Sequence, residues 1–167
     1  MKAIGVLIAI ALALALQTTL ARFVVGGTAA LDLVLVVVVY VALTYGPVTG
    51  MLAGSVAGII QDALSSGVIG IGGLAKSIVG FLAGAIGQQF IVTAALPRFV
   101  MFLGATALHA AVFMGLYVVL ELREFPAPWA AIASQAVVNA AVGMIAFTII
   151  ESLPGFVERR RSRRVRH

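Results

Sequence analysis

Asp62 and Lys76 are the only charges in the stretch Gly46 to Gly87, and both stand among apolar residues. A carboxylate and an ammonium at depth in such surroundings can neutralise each other, hold a substrate or ion, or snorkel to the nearer surface. They flank the Ser65–Gly70 joint at similar distances, so an antiparallel hairpin brings them to similar depth. The expectation is a buried Asp62–Lys76 pair. Each unrelieved charge costs about 2.5–3.5 kcal/mol in a membrane interior. His109, Gln135 and Asn139 are the other polar groups at depth, and Gln135 and Asn139, four residues apart, share a helix face. They could bind a small polar ligand between helices, although such groups more often make interhelical hydrogen bonds worth about 0.6 kcal/mol.

The remaining chemistry is excluded by residue type. Without cysteine there is no thiolate site or disulfide. His109 has no second ligand three or four residues away, so no metal site is expected. No phosphate-binding glycine loop, no nucleophile–base order and no carboxylate pair suited to acid–base work is present, so neither catalysis nor a cofactor is expected. The basic tail, Arg159, Arg160, Arg161, Arg163, Arg164 and Arg166, has no interleaved aromatics and follows a membrane helix. Its expected contact is therefore anionic lipid, at roughly 1 kcal/mol per basic residue, and not nucleic acid.

The elements that hold these residues follow from composition. With 62% hydrophobic and 10% charged residues and a mean hydropathy of +1.17, the chain lies far from soluble domains, in which about a quarter of residues are charged. At about 20 residues per crossing, 167 residues hold about six crossings and no soluble catalytic domain. The first runs from Met1 to Ala21, charge-free after Lys2; Thr19-Leu20-Ala21 only loosely resembles a signal-peptide cleavage site, so a retained span is expected. The second, Ala30 to Tyr45, is short, with Asp32 one turn inside its start. Pro47–Leu64 and Ile71–Ile91 form the third and fourth, Leu96–Leu120 the fifth, and a span from Trp129 to about Leu153 the sixth. Residues 1–155 thus form a six-helix transmembrane domain and 156–167 a basic tail. An even number of crossings leaves Lys2, Arg98 and the tail arginines on one side, against Arg22 and Arg123 opposite, so both termini are expected in the cytoplasm.

Gly50, Gly54 and Gly58 recur every four residues in the third segment, and Gly73, Gly80 and Gly84 recur at sevens and fours in the fourth. Small residues at these intervals let helix backbones approach closely in lipid, where hydrophobic gain is small. They read as faces for helix packing or for a partner.

Three stretches carry a family resemblance. These are Leu31-Asp32-Leu33-Val34-Leu35 opening the second helix, Gly50-xxx-Gly54-xxx-Gly58-Ile59-Ile60-Gln61-Asp62, and Ile69-Gly70 leading to Lys76-Ser77-Ile78-Val79-Gly80-Phe81-Leu82-Ala83-Gly84. Together they resemble the rod shape-determining protein MreD family. Leu31 stands where that family has proline, and Ser55 where an aromatic is common. The resemblance implies a non-enzymatic inner-membrane scaffold of the cell-wall elongation complex. It would bind the bitopic protein MreC and connect indirectly to MreB, an SEDS glycosyltransferase and a class B penicillin-binding protein. It also implies an all-α bundle similar to the S component of energy-coupling-factor vitamin transporters, which gives the alternative function: substrate capture for such a transporter.

Overall fold

Thirteen residues at the centre of the molecule set its architecture. In the computed structural model, which describes residues 2–23, 31–65, 67–90, 94–122 and 129–152, helix α2 (Leu33–Tyr45) packs against all five others. The others are α1 (Lys2–Phe23), α3 (Pro47–Leu64), α4 (Ile71–Gln89), α5 (Ala95–Val119) and α6 (Trp129–Ser152). Among the described residues there is no strand.

Helix α2 is valine-rich, a composition that in water favours strands. In an apolar surrounding the backbone must satisfy its own hydrogen bonds, and a single segment does so only as a helix. Because the segment is apolar all round it is buried all round, as Val34, Leu35, Val38, Val39 and Ala42 are. Its length is about 20 Å, short of the ~30 Å of hydrocarbon. Helices α4, α5 and α6 are long and apolar enough to cross a membrane. The second helix begins later than the sequence suggests: Leu31 and Asp32 are non-helical, and Asp32 is the N-cap because its Oδ1 accepts from Leu35 N at 2.9 Å.

Helices α3 and α4 form the tightest pairing. A Cβ on Gly50 would stand 2.5 Å from the Gly80 carbonyl oxygen, and one on Gly58 2.6 Å from Gly73 Cα. Gly54 lies equally close to the Lys76 backbone, and a Cβ on Gly84 would stand 2.5 Å from Pro47 Cα. Within α4 Ser77 donates to Gly73 O at 2.6 Å, and across the seam its Oγ lies 2.6 Å from Ser55 Oγ. With the Ser77 proton engaged, Ser55 is the donor. All six expected glycines are buried in this seam, so their surfaces are occupied within the chain and do not form an open partner face.

Gly46 makes the α2–α3 corner at φ +96°, where an L side chain is strained. Proline at the first position of α3 needs no amide donor there. On the other side of α2, Phe102 of α5 seats against Gly143 of α6, and Tyr40, Phe102 and Phe147 form a ring cluster with centroids 4.6 and 6.1 Å apart. Helix α1 lies at the edge, burying Ile10, Ala13 and Leu14 while Leu7, Ile8 and Leu12 face outward.

Candidate functional site

A helix N-terminus leaves up to four amide donors without intrahelical partners, which is costly in a helix that starts inside a bundle. At α2 three of those donors, Asp32 N, Val34 N and Leu35 N, are met from three directions. Asn139 of α6 accepts from Asp32 N at 2.9 Å, Gln17 of α1 accepts from Val34 N at 3.2 Å, and Asp32 itself takes Leu35 N. Asn139, fully buried, then donates to Thr106 of α5 at 3.2 Å, and Thr106 donates to Phe102 O at 2.9 Å. One polar chain thereby ties α2 to α5 and α6.

The second oxygen of Asp32 carries the charge. Lys76 Nζ lies 2.8 Å from Asp32 Oδ2 and 3.1 Å from His109 Nε2, with all three residues buried. An ammonium has only donors, so Nε2 accepts and the neutral ring carries its proton on Nδ1.

Lys76 is therefore paired, but with Asp32 and not with Asp62. The carboxylate of Asp62 lies instead over the first turn of α4, where Oδ2 accepts from Gly70 N and Gly72 N at 2.9 Å and from Gly73 N at 3.3 Å. The positive end of the helix dipole and three free amides satisfy it without a cation. Matched distance from the turn does bring both residues into one region, but the close seam of α3 on α4 places the end of α3 over the start of α4. The Lys76 side chain leaves α4 towards α2 and α5. Since Lys76 is 3% and Asp62 9% exposed, neither snorkels.

A cavity of about 800 Å³ opens beside this network, lined by Gln17, Gln61, Asp62, Lys76, His109 and Gln135 among others. Gln135 and Asn139 thus separate: one lines the cavity and the other is consumed in the fold. Among the described residues no three His, Asp or Glu side chains are placed to hold a metal ion.

Two roles were hidden in the sequence. Asp32 marks the entry of the second segment there but not its cap, although an acidic residue before a valine run is an N-cap signal. Arg98 and Glu151 form a two-bonded ion pair, both distances 2.7 Å, with the guanidinium 4.6 Å from the Phe147 ring centre. Their positions at the start of α5 and the end of α6 were the available signal, since antiparallel neighbours bring those ends together. The tail residues Arg159, Arg160, Arg161, Arg163, Arg164 and Arg166 lie outside the described residues.

A family model described as rod shape-determining protein MreD matches residues 2–154. No curated protein matches. No solved structure matches.

Proposed function

The chain belongs to the MreD family of rod shape-determining membrane proteins, and from that membership we propose that it is a non-enzymatic scaffold of the cell-wall elongation complex in the inner membrane. Its partner on this reading is MreC, with MreB, the SEDS glycosyltransferase and the class B penicillin-binding protein reached through it. Both termini face the cytoplasm, and the arginine tail of residues 156–167 rests on anionic headgroups. The observation that carries the proposal is the family match over residues 2–154. The build of the core supports it: glycine contacts between backbones and buried polar ties make a bundle suited to fixing the geometry of other proteins.

The test is affinity purification from native membranes together with deletion of the gene. MreC should co-purify, and deletion should give rounded cells with vitamin uptake unchanged. Recovery of transporter ATPases and a stoichiometric vitamin, with cell shape intact after deletion, would overturn the proposal in favour of the transporter reading.

A further inference from the structure

We propose that the cavity beside the Asp32–Lys76–His109 network is a binding site for a small aromatic molecule bearing an amine. At about 800 Å³ the cavity lies within the ~300–1,000 Å³ typical of sites for small organic ligands. It sits at the end of the bundle where α3 turns into α4 and where α5 ends, away from the start of α1 and the end of α6.

The cavity offers acceptors to a ligand that donates. Lys76 is engaged by Asp32 and His109, and both Asp32 oxygens are taken, by Lys76 and Leu35 N. All hydrogen bonds to Asp62 fall on Oδ2, which leaves the lone pairs of Oδ1. Gln61 lines the same cavity, and its Oε1 is buried with no hydrogen-bond partner. The neighbouring Ser65 hydroxyl does not relieve it, because it donates to the Gln61 backbone carbonyl. Two acceptors are therefore unmet, the Gln61 oxygen being enclosed rather than open to the cavity, and an unmet buried acceptor is a cost that a bound donor removes.

The ligand should also be positive. Asp32 and Asp62 bring two carboxylates to the cavity against the single ammonium of Lys76, and Asp62, held by backbone amides and the α4 dipole alone, has no formal counter-charge. Its body should be flat. His109, Phe113 and Tyr117 follow one another a turn apart on α5 and line the cavity as a ladder of rings, with centroids 5.7 and 4.9 Å apart. Such a wall favours an aromatic face and a nearby cation. The inference does not depend on which proteins the chain assembles with.

Three probes of one shape test it on the full chain in lipid nanodiscs: tryptamine, tryptophol and indole-3-propionate, followed by ligand-observed NMR. Tryptamine should bind saturably, about fivefold or more tighter than tryptophol, and indole-3-propionate should not bind. Gln61→Met should weaken tryptamine by about fivefold, the value of one hydrogen bond, at a melting temperature no lower than that of the parent. Phe113→Leu, which removes the central ring, is the second variant and should weaken all saturable binding. Equal affinity for the three probes would mark a non-selective lipid cleft and overturn the proposal. So would an absence of saturable binding, a preference for the propionate, or tryptamine binding indifferent to both substitutions.

Discussion

At the scale of single residues, Lys76 is held by Asp32 across 2.8 Å and Asp62 caps the first turn of α4. Removing one partner of a buried pair costs about 3–5 kcal/mol because the other charge is stranded, whereas removing both leaves no charge behind. Asp32→Asn and Lys76→Met should therefore each lower the stability of the purified protein by that order, and the double variant should lose less than the sum. Asp62→Asn with Lys76→Met should be near additive, since Asp62 is satisfied by the backbone of Gly70, Gly72 and Gly73. Thermal unfolding in detergent measures both cycles, and coupling of Asp62 but not Asp32 to Lys76 would refute the assignment. That both charges are buried groups needing relief was legible in the sequence. Which group relieves which was not, because the choice rests on side-chain direction at the α3–α4 seam.

At the scale of elements, the glycine rows show how spacing becomes contact. Gly54 and Gly80 face backbone atoms across the seam, so Gly54→Leu and Gly80→Leu should force α3 and α4 apart and destabilise by about 1–3 kcal/mol or more. Gly104 and Gly115 have open space where a Cβ would stand, and alanine there should be tolerated or stabilise by up to about 1 kcal/mol. Melting temperatures of the four variants check the contrast; similar behaviour at all four would remove the seam as the reason for the glycines. The rows were visible in the sequence because helical spacing is fixed. Their partner was not: the two rows meet each other across the α3–α4 seam. The short second segment also looked like a weak span. Its centrality follows from burial on every side, which a run of valines permits but does not require.

At the scale of the whole molecule, the basic asymmetry of the chain predicts that a reporter fused after His167 is active in the cytoplasm and silent in the periplasm. Activity only in the periplasm, in a fusion that restores rod shape, would invert the bundle and place the cavity on the cytoplasmic side. The all-helical class, the helix positions and the family were determined by the sequence itself, because each depends on local composition: apolar length, glycine interval, proline and N-cap position. What only the tertiary structure decided is the pairing among helices distant in sequence. Asp32, Lys76, His109 and Asn139 come from four different helices or their caps, and no local spacing relates them. They meet because the N-terminus of α2 ends inside the bundle, and its free amides and carboxylate must find partners on whichever helices surround it.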